Sequence, residues 1–342
     1  MIDRIKNKIE LLRKLCRKKL EFFRIQQSIS CIKTQSGNIG NEEPVVLCLL
    51  QNGSYFIESF MQHYLHMGFK NFVFIDNGST DNSIELLKKY NVTILLSPLP
   101  YSRYKWLFKQ YLVEKYAPNR WSLYVDIDEL WDYPYSSKIK LSQFISYLDS
   151  HKYTAVAAYM ADMFADEPLN NLAKFKNTPL REAYPYLDNS CVKQTPYKKA
   201  YNKIANPEIK DYRGGIHQQF FGISDIYLSK IPFVKWNPTI SVHETSHTST
   251  FVHIADVTTI LLHYKFVWGF YEKAKAIMEK GHYYQGGKTY KMYLDVLQHS
   301  PDLNLKTQSA KKYTSCEDLQ SDGVIVIGNL FEEFVQRNSN NI

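Results

Sequence analysis

Asp126, Asp128 and Glu129 fall within four positions in the run WSLYVDIDELWDYP, residues 121–134, directly behind an apolar segment. Three carboxylates in one dry corner repel one another unless a cation neutralises them. The stretch therefore calls for a positive partner. On an extended strand end Asp126 and Asp128 point to one side and Glu129 to the other. Two such carboxylates, with water and a diphosphate, make the hard-oxygen shell that Mg²⁺ or Mn²⁺ prefers. That cation would neutralise charge building on a leaving diphosphate. A bare Asp-x-Asp also occurs at solvated corners; the strand in front and Trp131 behind favour the metal reading.

Further polar clusters follow other apolar runs. FIDNGSTDNS places Asp76 and Asn77 at a strand end, Gly78 in a tight turn, and Ser79, Thr80 or Asp81 where the next helix needs a cap. All of these have a plain use in turn and cap; Asp76 can in addition accept two hydrogen bonds from ribose hydroxyls or a base edge. LLHYKF sets His263 and Lys265 two apart, hence on one strand face, where an imidazole can complete a metal shell and an ammonium can hold a diphosphate oxygen. Arg103 and Lys105, expected in a loop after the third strand, could meet phosphate or simply be solvated. VHETSHTSTFVH gathers His243, His247 and His253 around Glu244, but the spacing is not HExxH, so zinc is not expected and Glu244 stands as a candidate general base.

The elements that must position these residues alternate. VVLCLL, NFVFID, VTILLS and WSLYVDID read as strands, separated by helices within 54–69, 82–90 and 106–116. This order predicts an α/β fold with a doubly wound, mostly parallel sheet and right-handed crossovers. Ligands of such sheets bind beyond the carboxyl ends of the strands, which puts Asn52, Asp76 to Asp81 and Asp126 to Glu129 on one rim. Beyond residue 150 the pattern loosens: YTAVAAYMADMF and TTILLHYKF read as strands, 165–212 as loop-rich, and WGFYEKAKAIMEKGHYY as an amphipathic helix.

A chain of 342 residues with 44% hydrophobic content can bury a large core. Its net charge of +8 is concentrated at the start, where residues 1–33 carry ten Lys or Arg against Asp3, Glu10 and Glu21, a net +7. The near-neutral body excludes a broad nucleic-acid surface. In the basic segment Ile2, Ile5, Ile9, Leu12, Cys16, Leu20 and Phe23 make one helical stripe. Such a helix can lie on anionic lipid, pack on the body, or pair as a coiled coil; the sequence leaves these open. TQSGNIGNEEP, residues 34–44, reads as a linker. No run is long and apolar enough to span a membrane. The five cysteines are scattered, without metal spacing, and no apolar leader block opens the chain, so reduced thiols and a cytoplasmic location are expected, with a peripheral place on the cytoplasmic face of a membrane left open.

With these residues set out, the chain resembles the family-2-like glycosyltransferases of the GT-A fold, in particular the branch close to the family 92 enzymes. The resemblance rests on Asn52, Glu58 and His63 in QNGSYFIESFMQHYLHMGF, on DNGSTD and DIDEL, and on RGGIHQQFFG, IPFVKW, LLHYKF and GHYYQGGKTYKMY. It spans about residues 45–295; Gly53, Ser59 and Asn77 depart from the branch pattern. The resemblance implies a GT-A-like, Rossmann-like domain over 44–300, with a nucleotide half (44–135) and an acceptor half (136–300), preceded by the basic helix and linker (1–43) and followed by an extension (301–342). It implies nucleotide-sugar contacts from Asp76, Asp81, Asp126 and Lys265, to which the candidates Asn52, Asn77, Arg103 and Lys105 are added from their own positions, and metal ligation of Mn²⁺ or Mg²⁺ by Asp126, Asp128 and His263. Arg213, Gly214, Gly215, His217 and Trp236 would line the donor-sugar or acceptor pocket, and Asp211 or Glu244 would be the base of an inverting transfer. The expected partners are a UDP-sugar and a glycan or glycolipid hydroxyl. The rival expectations are a nucleotidyltransferase and a non-catalytic glycan-binding scaffold.

Overall fold

The computed structural model describes residues 2–37, 40, 42–198, 201–242, 247–280 and 287–339. The chain opens with α1 (Ile2–Ser28), β1 (Ser30–Lys33), β2 (Val45–Leu50), α2 (Ile57–His66), β3 (Asn71–Asp76), α3 (Ser83–Lys88), β4 (Thr93–Leu96), α4 (Tyr101–Tyr116), β5 (Trp121–Tyr124) and β6 (Glu129–Asp132). The middle runs through α5 (Leu141–Ser150), β7 (Ala155–Asp162), α6 (Leu180–Ala183), β8 (Tyr186–Leu187), β9 (Val192–Pro196), β10 (Lys203–Ile204), β11 (Lys210–Gly214), α7 (Ile216–Phe221) and β12 (Ser229–Lys235). Then come β13 (Ser241–Val242), β14 (Ser249–Thr250), β15 (His253–Ile254), β16 (Thr259–His263), α8 (Phe270–Lys280), α9 (Lys288–His299), β17 (Lys311–Lys312) and α10 (Asn329–Asn338).

The fold class expected from the sequence is the one observed. A central sheet runs β1-β4-β3-β2-β5-β12-β7-β15-β10, with β16 paired to β7 and β6. Its nucleus β4-β3-β2-β5 is parallel and Rossmann-like. Every residue of β2 and β3 is buried, because helices cover both faces; that is why both strands read as unbroken apolar runs. One face packs Phe60, Tyr64, Trp121, Trp131 and Phe144 into the largest core. The other packs Leu107, Phe108 and Leu112 of α4 against Val45, Leu47 and Val73. β12 enters antiparallel between β5 and β7, so β7 and β16 again run in the direction of β5.

Three expectations are corrected. The helix placed at 106–116 begins at Tyr101, so Arg103 and Lys105 are helical rather than in a loop. Tyr104 extends the buried face of Leu107 and Phe108 by one turn, and Pro100 sits at the helix start, where its missing N–H costs nothing. The strand read through Asp128 stops at Tyr124, and Glu129–Asp132 forms a separate strand antiparallel to β16. The segment read as the end of a basic helix and a linker includes β1, an edge strand antiparallel to β4. Gln35 fastens the chain just beyond β1, its backbone N–H donating to Thr93 Oγ1 (3.0 Å) and its side chain to the Lys70 carbonyl (2.7 Å).

The carboxyl-terminal residues join the main core: Val324, Ile325 and Phe331 are buried in it, with Phe331 against Phe144 and Tyr147. His63, part of the family-like α2 motif, is also structural. Its Nε2 donates to the Trp131 carbonyl (2.7 Å), and burial holds its pKa down at about 4. A folded-state value below the ordinary 6.5 means that the unfolded chain takes up the proton first, so this contribution to stability is present above about 6.5 and is lost as the pH falls toward 4. His63→Gln is expected to flatten the pH dependence of stability across that window, as measured by urea unfolding at pH 4 to 7; identical profiles for both proteins would contradict the assignment.

Candidate functional site

The carboxyl ends of β2, β3, β4, β5, β7 and β16 lie along one edge of the sheet. Asp126-Ile127-Asp128 forms the turn between β5 and β6 there. The turn is closed reciprocally: Asp126 N–H donates to Glu129 Oε2 (2.9 Å), and Glu129 N–H donates to the Asp126 carbonyl (3.1 Å). The Tyr64 hydroxyl donates to the Glu129 carbonyl and accepts from Trp131 N–H, while Tyr264 N–H donates to the Asp128 carbonyl. Trp131 itself is a core residue whose indole donates to Thr259.

The positive partner called for by the sequence is Lys230, which sequence reading did not single out. It is 1% exposed on β12, and its Nζ donates to Glu129 Oε2 (2.6 Å) and Oε1 (2.8 Å) and to Asp126 Oδ2 (3.3 Å). Burial pushes the ammonium pKa down, but the two carboxylates outweigh it and hold the value above that of an ordinary lysine. Burial likewise pushes Asp126 up, and Lys230, helped by Lys105 and His247, brings it below the usual range. His247 accepts Ile231 N–H at its carbonyl and sits over the same cluster, its pKa lowered to about 4 by burial and by Lys230.

The expected grouping of the carboxylates is thereby changed. Asp126 goes with Glu129, and Asp128 faces another way, because the chain leaves the extended conformation after Tyr124 and strand alternation no longer applies. Asp128 Oδ2 lies 4.0 Å from His263 Nε2 and 4.0 Å from the Lys273 ammonium on α8. His263 is oriented by Asp162, opposite it in the register of β7 and β16. Asp162 is buried; its Oδ1 accepts from His263 Nδ1 (2.7 Å) and its Oδ2 from His217 Nε2 (2.9 Å). His217 Nδ1 in turn accepts from the Tyr293 hydroxyl (2.7 Å).

Burial opposes the Asp162 charge, yet the two imidazoles hold its carboxyl far below the usual range. Burial also pulls His263 down, and the bond to Asp162 with the nearby Asp128 charge carries it above its ordinary value. His217, 1% exposed, is instead held down by burial. Asp162 was missed because a lone acid ending an apolar strand carries little signal; the same strand-end pattern that flags Asp76 could have found it.

The other sequence-named residues are placed as follows. Lys265 is half-buried over the rings of Tyr290 and Tyr293, and desolvation lowers its pKa to about 8 against the pull of Asp162. Asp76 is buried at the end of β3; its Oδ1 accepts from Gly78 and Ser79 N–H, while Oδ2 meets no donor among the described residues. Asn77, Asn52 and Asp81 fasten loops: Asn77 donates to the Ser97 and Leu99 carbonyls, Asn52 accepts from Thr80 N–H, and Asp81 from Ser54 N–H.

Arg103 donates to Glu21 of α1 (2.9 Å), whereas Lys105 lies within electrostatic reach of Asp126. Asp211 on β11 accepts the Tyr227 hydroxyl. Arg213 is exposed over the Tyr227 ring, and Gly214 and Gly215 turn the chain into α7 with φ of +85° and +58°. Trp236 is partly buried beside α4, its indole N–H without an acceptor among the described residues. Glu244, with His243, lies outside the described residues, as does the stretch 281–286 of the last family-like motif.

The donor set fits a hard divalent cation with few protein ligands. Asp128 and His263 offer one carboxylate and one imidazole converging from two strand ends, and Asp162 holds the His263 proton on Nδ1 so that Nε2 can bind. Among the described residues no group of three metal-ligating side chains is assembled, so the rest of the shell would come from water and a diphosphate, as Mg²⁺ and Mn²⁺ commonly accept. A cavity of about 780 Å³ lies at the opposite edge of the sheet, lined by Glu43, His66, Lys70, Lys140, Arg181 and Glu317 among others. Its mixed charge singles out no ligand, and the converging donors place the candidate site at the carboxyl edge.

No family model and no curated protein matches the chain. Among solved structures, a crystal structure of S. aureus TarS 1-349 aligns over 38% of this chain and 44% of that chain, with 15% identity and a TM-score of 0.30. A longer S. aureus TarS structure aligns over 38% of this chain and 26% of its own, with 16% identity and a TM-score of 0.30. A UDP-glucose pyrophosphorylase complexed with UDP-glucose aligns over 87% and 97%, with 8% identity and a TM-score of 0.26. The chain thus spans less than half of the TarS chains it matches, and overlays at these scores carry no argument about activity.

Removing the buried ammonium leaves Glu129 uncompensated in the core. Lys230→Met is expected to destabilise the protein by about 3–5 kcal/mol, and adding Glu129→Gln to recover most of the loss, both read by denaturant unfolding. A Lys230→Met protein as stable as wild type would contradict the arrangement.

Proposed function

We propose that the protein is a metal-dependent glycosyltransferase, of the family-2-like branch named by the sequence resemblance, that moves a sugar from a nucleotide-sugar to a glycan or glycolipid hydroxyl. The observation that carries the reading is the Asp128–His263 pair, 4.0 Å apart at the carboxyl edge of a Rossmann-like sheet, with His263 fixed by Asp162. A divalent cation held there would supply neutralisation of the charge on a departing diphosphate.

The surrounding residues suit the remaining tasks. Lys273, with half-buried Lys265 close by, brings ammonium groups to the Asp128 side of the site, which favours a diphosphate over neutral ligands. The unmatched Oδ2 of Asp76, buried at the end of β3 two strands from β5 along the same edge, is suited to a donor N–H or hydroxyl of a nucleoside. Asp126 keeps Lys230 and so shapes the turn, with its exposed part available to ribose. Inverting transfer needs a carboxylate base; of the two residues named for it, Asp211 is held by Tyr227.

The test is release of nucleoside diphosphate from a panel of nucleotide-sugars, in Mn²⁺ and in chelator. Mn²⁺-dependent release from one nucleotide class is expected. Asp162→Ala, which removes the acceptor that fixes His263, should raise the Mn²⁺ dissociation constant by roughly 10–100-fold. Absence of release from every donor with any divalent cation would contradict the proposal, and release of pyrophosphate from a nucleoside triphosphate and a sugar phosphate would replace it with nucleotidyl transfer.

A further inference from the structure

The helix α1 uses two opposite faces. Toward the body, Ile25 is fully buried, Phe22 and Ile29 pack with it against the α4 cluster, Lys18 lies over the Trp106 ring (4.5 Å), and Glu21 accepts from Arg103 (2.9 Å). At 3.6 residues per turn the opposite side carries Cys16, Leu20 and Phe23. Leu20 is 64% exposed and Phe23 57% exposed. The sequence of the 27-residue helix repeats this apolar spacing upstream, at Ile2, Ile5, Ile9 and Leu12.

Three exposed cations flank this stripe. Lys19 falls on one side and Arg17 and Arg24 on the other, all three exposed. By the same count Glu21 falls toward the packed face, whereas Glu10, seven residues before Arg17, lies in the same column as Arg17 and Arg24. A second copy laid against the stripe would bring two predominantly cationic borders together, since residues 1–33 carry ten Lys or Arg against three acids. An anionic lipid surface answers both features, taking the apolar stripe into its interface and the cations onto its headgroups. No helix among the described residues is long and apolar enough to cross a membrane, so the contact would be peripheral.

We infer that the outward face of α1 is a docking surface for an anionic lipid bilayer, with the inward face fastening the globular body to it through α4. The alternatives left open by the sequence, packing on the body and lying on lipid, are thereby both taken, one on each face. The inference is independent of the metal site, since no residue of the carboxyl edge takes part in it.

The experiment is co-sedimentation of the full chain with phosphatidylcholine vesicles with and without phosphatidylglycerol, beside sedimentation velocity without lipid. Wild type should bind the anionic vesicles, fail to bind the neutral ones, and release in high salt. Leu20→Glu with Phe23→Glu, at exposed positions, should abolish binding, and Lys19→Glu with Arg24→Glu should weaken it roughly fivefold or more for each cation, with the carboxyl-edge variants binding as wild type. Failure to bind anionic vesicles, or equal binding by the Leu20/Phe23 variant, would overturn the inference. A dimer in solution that Phe23→Glu dissolves would likewise overturn it and assign the face to a second copy.

Discussion

A single buried ammonium decides how the acidic turn is divided. Lys230 reaches from β12 to Glu129 and Asp126 with bonds of 2.6–3.3 Å. A cation so far from water is stable only because two carboxylates meet it, and buried Glu129 in turn is tolerated in the core only because it is there. With Asp126 and Glu129 held, Asp128 alone is turned toward His263. The repulsion among three neighbouring acids is thus answered within the chain itself, and the case for a bound metal rests instead on Asp128 and His263.

This arrangement depends on the antiparallel insertion of β12 between β5 and β7. The insertion puts Lys230 beside the turn after β5 and returns β7 to the direction of β5, so Asp162 ends at the same edge. β16 then lies against β7 in register, which brings His263 opposite Asp162. Behind them His217 and Tyr293 complete a buried chain of hydrogen bonds. Such a chain restricts the His263 ring to one orientation, which is what a ligand of a hard cation requires.

The parallel nucleus was legible because β2 and β3, buried on both faces, have to be apolar throughout, and the strand ends then locate the polar clusters. The acidic run and His263 stood out for the same reason. Lys230 and Asp162 did not, because each stands at the edge of an apolar run and its partner lies about a hundred residues away; only the strand order supplies it. The helical start of α4 was obscured by polar and aromatic residues at its first turn, of which Tyr104 proved to face the core. The helix α1 was legible from its apolar spacing, but periodicity alone could not say which way the stripe faces: Ile25 and Phe22, outside it, are the residues that bind the body.

The division of labour among the carboxylates is tested most directly by titrating Mn²⁺ into the wild type, Asp128→Asn and Asp126→Asn proteins in the presence of a nucleoside diphosphate, by calorimetry. The account predicts that Asp128→Asn abolishes binding while Asp126→Asn, which removes a carboxylate already matched to Lys230, weakens it less. Loss of binding in Asp126→Asn with wild-type affinity in Asp128→Asn would contradict it.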